Sequence, residues 1–254
     1  MSTVRDIFDA LCEMAPLSLQ MDFDNAGFLV GRGDRDVTKA LLSLDITDQV
    51  VEEAVEERAQ LIISHHPVIF HGIKTLTDDS ATVKLLRMAE SGISAVCMHT
   101  NLDIAEGGIN DILIEILGAS CEGPLDKDCC GRVGRLPESI SLNDFLIQCK
   151  TNLNAKGLRY YDAGKPVSRL AVMGGAGADA LEDAVALGCD TYVTSDIKYH
   201  QFLRAAELGL NLIDADHYCT ENPVIPVLAQ RLSLRFPEVV FQVSGRHRQV
   251  ISFF

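Results

Sequence analysis

The stretch "LIISHHPVIF", residues 61–70, places two adjacent histidines directly after a run of aliphatic side chains. Residues 61–63 are typical of a buried strand, which should end before Pro67 because proline lacks the N–H that a sheet ladder needs. His65 and His66 would then lie at the carboxyl end of a strand. Ligands of open α/β sheets usually bind at this edge, where the strand-to-helix loops meet. The alternative is a solvated turn with two ordinary imidazoles. The motifs in the rest of the chain distinguish these two interpretations.

The segments before this stretch alternate between helix and strand patterns. "TVRDIFDALCEMAP" (3–16) predicts a helix capped by Thr3, and a short apolar strand follows in "DNAGFLVGRGD" (24–34). "KALLSLDIT" (39–47) has the pattern of a buried strand, and "DQVVEEAVEER" (48–58) has the spacing of an amphipathic helix. This alternation is typical of βαβ units and predicts an α/β fold.

A later part of the chain repeats the same alternation. Its strand, helix and strand candidates are "RLAVMGGAG" (169–177), "DALEDAVALG" (179–188) and "CDTYVTSDIKYH" (189–200). Aligning the two parts puts Asp196 opposite His66, and "LRMAESGI" (86–93) then matches "LRAAELGL" (203–210). The agreement indicates two related α/β halves, although generic βα units also resemble each other by chance.

The composition of the connector sets the expected domain boundary. The segment from Gly118 to Gly134 is rich in glycine and charge, which favours a linker. We predict a first α/β domain over 1–122, joined by C-terminal strands within 234–254, and a second over 123–233. "EVVFQV" (238–243) and "RQVISFF" (248–254) are the candidates for those last strands.

The overall composition excludes several classes of function. The chain has 254 residues, 47% of them hydrophobic, and a formal net charge of −14 with no Lys/Arg-rich block. Such a charge repels phosphate backbones and disfavours nucleic-acid binding. No long apolar segment or signal sequence is present, so we expect a cytoplasmic protein with no membrane partner.

Eight cysteines without a CxxC pair indicate reduced thiols, mostly buried as in the apolar segments around Cys97 and Cys189, rather than a disulfide scaffold or a structural zinc site. The adjacent pair Cys129–Cys130 has a redox interpretation, but incidental neighbours in a loop explain it as well.

Polar side chains follow four of the predicted strands. They are His65 and His66, His99 and Asp103 in "HTNLD", Asp196 in "SD", and Asp214, Asp216, His217 and Glu221 in "DADHYCTE". Imidazoles together with carboxylates suit zinc, iron, manganese, nickel or cobalt, whereas an all-oxygen set would suit magnesium or calcium. His217 and Glu221 are four residues apart, so one helical turn or a tight loop directs both to one point. Neighbouring residues of an extended chain diverge, so His65 and His66 reach two ions more readily than they chelate one.

Several other polar residues each have two interpretations. His99, Asp45, Asp196 and His200 either orient metal ligands or are ordinary polar ends of strands. Lys74 and the basic "GRHR" (245–248) are interpreted as solvated surface rather than contacts to an anionic substrate. "GGAG" (174–177) lacks GxGxxG spacing and predicts a tight strand-to-helix turn.

The motifs in this order resemble those of the Nif-three-like dinuclear metal-centre proteins, some of which are known as type 2 GTP cyclohydrolase I. The motifs that carry the resemblance are "DNAGFLVG", "LLSLDIT", "IISHHPVIF", "HTNLDIAEGGIND", "TSDIKYH" and "IDADHYCTE". The resemblance implies two α/β domains, each a mixed sheet flanked by helices, a homohexameric ring, and two divalent metal ions between the domains. It further implies that His66 and Asp103 bind one ion, that His65 and His217 bind the other, and that Glu221 bridges them. Two residues depart from the family pattern, because Ser195 and Asp216 stand where glycine is usual, and Asp216 could add a carboxylate beside the metals.

The expected chemistry is hydrolysis of a small molecule such as a nucleotide. Two close ions lower the pKa of a shared water and hold the substrate oxygen that it attacks. The resemblance implies attack of a metal-bound hydroxide on the imidazole ring of the guanine in GTP, and Glu221, His99 and Asp216 are the candidate catalytic residues. Five protein ligands for two ions leave open positions, which favours catalysis. The alternative is a non-enzymatic metal-binding regulatory protein or metal chaperone.

Overall fold

The computed structural model describes residues 1–78, 82–128 and 130–254. Cys129, one half of the adjacent cysteine pair, lies outside the described residues. The chain divides into two units, the first formed by 1–105 with 224–248 and the second by 106–223 with 249–254.

Helices and strands alternate along most of the chain. The helices are α1 Val4–Met14, α2 Asp48–Glu56, α3 Val83–Ser91, α4 Thr100–Ile104, α5 Ile109–Ile116, α6 Leu142–Asn152, α7 Leu181–Ala186, α8 Tyr199–Leu208, α9 His217–Glu221 and α10 Val224–Arg235. The strands are β1 Gly27–Val30, β2 Lys39–Ser43, β3 Leu61–Ser64, β4 Ser94–Cys97, β5 Ser120–Pro124, β6 Arg132–Ile140, β7 Arg159–Tyr161, β8 Val167–Val172, β9 Thr191–Thr194, β10 Asn211–Asp214 and β11 Val240–Val243. Short 3₁₀ helices occur at Leu17–Leu19 and Ala178–Ala180.

The first unit contains a five-stranded sheet in the order β1-β4-β3-β2-β11. Strands β2, β3, β4 and β11 are parallel to their neighbours, and β1 pairs antiparallel with β4. The predicted first helix is confirmed, because the Thr3 hydroxyl accepts from the Asp6 amide while the Asp6 carboxylate accepts from Thr3 N at 2.8 Å, which forms a capping box. Val50, Ala54 and Met88 of the helices bury their side chains in one core with Ile62 of β3.

The second unit contains a six-stranded sheet in the order β5-β6-β8-β9-β10-β7. Strands β8, β9 and β10 are parallel, whereas β5, β6 and β7 pair antiparallel with their neighbours. Two apolar clusters form its core, one around Phe145 and Leu170 and the other around Tyr192 and Leu212. The α/β class with two mixed sheets flanked by helices is therefore confirmed.

The two sheets share the arrangement that the sequence alignment indicated. In each, three parallel strands are joined by helices and the middle strand in chain order, β3 or β9, is also the middle strand in space. The polar pairs His65–His66 and Ser195–Asp196 directly follow these middle strands. Beyond the third strand, each sheet continues with an antiparallel neighbour, β1 or β7. Equivalent positions in the two repeats thus carry the candidate site residues.

Some features differ from the sequence-based expectations. Residues 106–122 belong to the second unit rather than to the first, because Leu113 and Ile114 of α5 pack in a core of the second sheet and β5 pairs with β6. "EVVFQV" contributes β11, as predicted. The prediction of a strand in "RQVISFF" is wrong, since 248–254 form neither helix nor strand. There the Gln249 side chain accepts from the Ile251 amide at 2.8 Å, a local bond that competes with a sheet ladder.

Two further observations concern the burial of the cysteines and the length of the helices. Cys97 and Cys189 are buried, as predicted, and burial raises the pKa of Cys189 to about 11, so its thiol stays protonated at neutral pH. Among the described residues, none of the helices combines the length and the hydrophobicity needed to cross a bilayer.

Candidate metal centre

His65 begins the first cluster of candidate ligands, at the carboxyl end of β3. Its Nδ1 lies 2.8 Å from the carbonyl oxygen of Met98. A carbonyl only accepts, so Nδ1 carries the proton and Nε2 presents its lone pair. Nε2 lies 3.8 Å from Oδ1 of Asp103 in α4, and His65 is only 1% exposed. Burial and the bond to Met98 together fix this imidazole in a ligand-competent tautomer.

His66 is held by a carboxylate that a distant histidine also contacts. His66 Nδ1 lies 2.8 Å from Asp45 Oδ1, and Asp45 Oδ2 lies 3.0 Å from His247 Nε2. Burial alone would raise the pKa of Asp45, but the hydrogen bonds with His247 and His66 hold it well below its usual range. The Asp45 carboxylate thus stays ionised and orients the His66 ring. His247 lies in the basic stretch interpreted as solvated surface, yet its side chain is only 7% exposed.

The turn that carries His247 is attached to α2 by Glu53. This buried carboxylate accepts from the Ser244 hydroxyl, from Gly245 N at 2.9 Å and from Arg246 N at 3.3 Å. Since His247 follows immediately, these bonds fix the position from which it reaches Asp45. No sequence pattern indicates this role, because Glu53 occupies an ordinary helical position.

His99 is oriented by Asp24, which precedes β1. His99 Nδ1 lies 2.7 Å from Asp24 Oδ1, while Oδ2 of Asp24 accepts from the amide of Thr100 at 3.0 Å and from its hydroxyl. Burial opposes ionisation of Asp24, but these hydrogen bonds lower its pKa to about 2. Asp24 is the first residue of the motif "DNAGFLVG", and the sequence pattern there does not indicate this role.

The three imidazoles of the first unit form one cluster. Their ring centroids are separated by 4.9 Å for His65 and His66, 5.0 Å for His65 and His99, and 5.6 Å for His66 and His99. Each offers a ring nitrogen within 4.8 Å of the others. In all three, Nδ1 is engaged by a carbonyl or a carboxylate, which is how metal-binding histidines are usually oriented. The cluster fits a borderline-soft divalent cation.

The second unit places His217 and Glu221 on one face of α9, directly after β10. His217 Nε2 lies 3.0 Å from Glu221 Oε2, and His217 Nδ1 lies 2.7 Å from Oδ2 of Asp196. Burial alone would lower the pKa of His217, but the two carboxylates raise it to about 9. Asp196 and Glu221 thus favour positive charge at the His217 imidazole. Glu221 is only 4% exposed.

The "GGAG" turn after β8 packs against Glu221. Gly175 has φ +64°, a conformation that favours glycine, and a Cβ there would clash with Glu221 Oε1. Gly175 N donates to the Thr220 hydroxyl at 3.0 Å, and the Ser195 hydroxyl donates to Gly175 O at 2.5 Å. The predicted tight turn is confirmed, and Ser195, which replaces the usual glycine of the family pattern, fastens it.

Asp216 begins α9 in a backbone conformation that glycine adopts more readily. Its φ is +73°, and its Oδ1 accepts from Cys219 N at 3.2 Å and from Gln249 Nε2. The bond from Cys219 N caps the helix that carries His217. The catalytic role assigned to Asp216 stays a prediction.

The remaining candidates lie at the surface. His200 is exposed on α8, and Lys74 is exposed before α3.

Comparisons with known proteins decide the family. A model of the Duf34/NIF3 (NGG1p interacting factor 3) family matches residues 2–249. The chain belongs to this family.

The relatives of this Duf34/NIF3 chain match it over nearly its whole length. A Clostridium perfringens protein named GTP cyclohydrolase 1 type 2 homolog is 34% identical over 98% of this chain and 99% of its own length. A protein of the same name from Clostridium acetobutylicum is 33% identical over 90% of this chain and 89% of its own. The crystal structure of the hypothetical protein SA1388 of Staphylococcus aureus superposes with a TM-score of 0.93, at 26% identity and 99% coverage of both chains.

Proposed function

We propose that this Duf34/NIF3 protein is a dinuclear metal-dependent hydrolase of a small molecule. In the proposal, His66 and Asp103 hold one divalent ion, His65 and His217 hold the other, and Glu221 binds both. Zinc, iron, manganese, nickel and cobalt suit these donors. The observation that carries the proposal is the imidazole cluster of the first unit, in which protein acceptors hold every Nδ1.

The protein's own residues divide the work around the ions. Bound divalent ions would lower the pKa of a water and polarise the substrate. His99 is suited to take up a proton at Nε2, because Asp24 on Nδ1 stabilises the imidazolium that results. Asp216 and Gly175 support the proposal by fixing the helix and the space that Glu221 needs.

The names of the relatives support a substrate class. Two proteins named GTP cyclohydrolase 1 type 2 homolog match nearly the full chain, which supports a nucleotide, GTP in particular, as substrate. The family resemblance also supports a homohexamer, and the net charge of −14 argues against a nucleic-acid partner.

Metal analysis combined with an activity screen tests the proposal. The full-length protein is loaded with each of the five metals and assayed against GTP, other nucleotides and phosphodiesters. We expect turnover that Glu221→Ala abolishes, while Glu90→Ala, at an exposed position on α3, leaves it unchanged. Stoichiometric metal without turnover on any substrate would overturn the hydrolase and favour a metal-binding regulatory protein or chaperone.

A further inference from the structure

A cavity of about 230 Å³ lies in the second unit beside the candidate ligand His217. It is smaller than the roughly 300–1,000 Å³ of pockets that enclose whole drug-sized ligands. Its walls include Arg159, Asp196, Asp216, Ile251 and Phe253. The volume therefore suits a single ring system rather than a complete nucleotide.

One wall of the cavity is apolar and comes from the C-terminal segment. The Phe253 ring lies against Gly157, where a Cβ would come within 2.6 Å of the ring. Gln249 anchors this segment, because its Nε2 donates to Asp216 Oδ1 and its Oε1 accepts from Ile251 N at 2.8 Å. An aromatic ring thereby lines the same cavity as the buried Asp216 carboxylate.

The polar walls offer both acceptors and donors. Asp216 is only 8% exposed, and its Oδ1 accepts from Cys219 N and Gln249 while Asp196 Oδ2 faces His217. Each carboxylate oxygen has two acceptor lone pairs, so both side chains can accept further hydrogen bonds. Arg159 Nη2 donates to Ile197 O at 2.9 Å and pairs with Asp214, which leaves its Nε and Nη1 donors for a ligand. Carboxylates accept hydrogen bonds and donate none when ionised, so a ligand with adjacent N–H groups complements these walls.

We propose that this cavity is the subsite for the base of a guanine nucleotide, an inference that rests on the function proposed above. The Asp216 and Asp196 oxygens accept from N1–H and the 2-amino group, Arg159 donates to O6 and N7, and Phe253 packs on the ring face. Adenine presents an acceptor at N1 in place of a donor. It is therefore repelled by the carboxylates.

Nucleoside binding to the metal-free, full-length protein tests the subsite. Guanosine, inosine and adenosine are titrated by calorimetry, so neither phosphate nor metal contributes to the affinity. We expect guanosine to bind more tightly than inosine, which lacks the 2-amino group, and adenosine to bind at least tenfold more weakly than guanosine. Equal affinity for guanosine and adenosine, or no binding of guanosine, overturns the proposal.

Two variants and a matched control assign the binding to this cavity. Phe253→Leu should weaken guanosine binding at least about fivefold through lost stacking. Asp216→Asn keeps a side-chain oxygen for the helix cap and tolerates positive φ, yet replaces an acceptor with a donor, so it should also weaken binding. Phe254→Leu, at a fully exposed neighbour, should change nothing. Thermal unfolding of each variant reports on its fold.

The outcomes separate this inference from the proposed function. Guanosine binding that depends on Phe253 and Asp216, in a metal-loaded protein that turns over no substrate, overturns the hydrolase and retains the base subsite. Turnover of GTP with the same KM in wild type and Phe253→Leu overturns the subsite and retains the hydrolase.

Discussion

Gly175 leaves the space that the Glu221 carboxylate occupies, because a Cβ at this position would collide with Oε1. The same hypothetical atom would lie 3.3 Å from Cε1 of His217. The turn after β8 therefore shapes the surroundings of both α9 side chains, although it contributes no candidate ligand of its own.

Replacing Gly175 should impair metal retention. In Gly175→Ala, the methyl group displaces Glu221, and the positive φ adds roughly 1 kcal/mol of strain. We expect lower metal content after dialysis and a lower free energy of unfolding. Gly164→Ala is the matched control, because Gly164 also has positive φ, +72°, but has no atom within 4 Å of its Cβ position. It should lose stability and keep its metal, and equal metal loss in both variants would contradict the steric argument.

The Glu53 carboxylate should influence the orientation of the His66 ring, because it holds the turn whose His247 contacts Asp45. Glu53→Gln removes one acceptor oxygen from three donors, which should cost about 1–3 kcal/mol of stability and weaken metal binding about tenfold. Glu56→Gln is the control on the same helix, since the contact of Glu56 with the same turn is an exposed ion pair with Arg246. Calorimetric titration of metal measures the metal affinity of both variants. Unchanged affinity in Glu53→Gln would show that His66 is oriented without this attachment.

The contacts of His217 should make the stability of the metal-free protein depend on pH. The raised pKa of about 9, against an ordinary 6.5, means that the imidazolium contributes its full stabilisation below about pH 6.5. This contribution declines as the pH rises through about 9. Asp196→Asn removes one carboxylate partner at 2.7 Å, so its free energy of unfolding should differ most from wild type near pH 6 and converge with it near pH 10. Urea unfolding across this range checks the sign, and a pH-independent difference would contradict it.

Substitutions at His99 and Asp24 should lower turnover without lowering the metal content. His99→Gln removes the imidazole that takes up the proton, and we expect kcat to fall about 10²–10⁴-fold. Asp24→Asn should lower kcat as well, because the amide no longer stabilises the imidazolium. Metal analysis of the same samples supplies the control. Parallel loss of metal and activity in His99→Gln would instead make His99 a ligand.

The sequence by itself determined the secondary structure and the local geometry of the candidate ligands. The aliphatic run before His65 forms β3, and the proline that follows prevents its extension. The four-residue spacing of His217 and Glu221 places both on one face of α9. These features depend on residues near one another in the chain, which periodicity and capping report directly.

Only the tertiary structure decided which distant groups orient the ligands. Asp24 lies 75 residues from His99, and Asp45 lies 202 residues from His247. Such contacts arise from the order of strands in the sheet and from the turn after β11, and no local pattern encodes them. The strand expected in "RQVISFF" is absent, because its apolar side chains specify a strand only where a neighbouring strand edge receives them, and the local bond between Gln249 and Ile251 competes with such pairing.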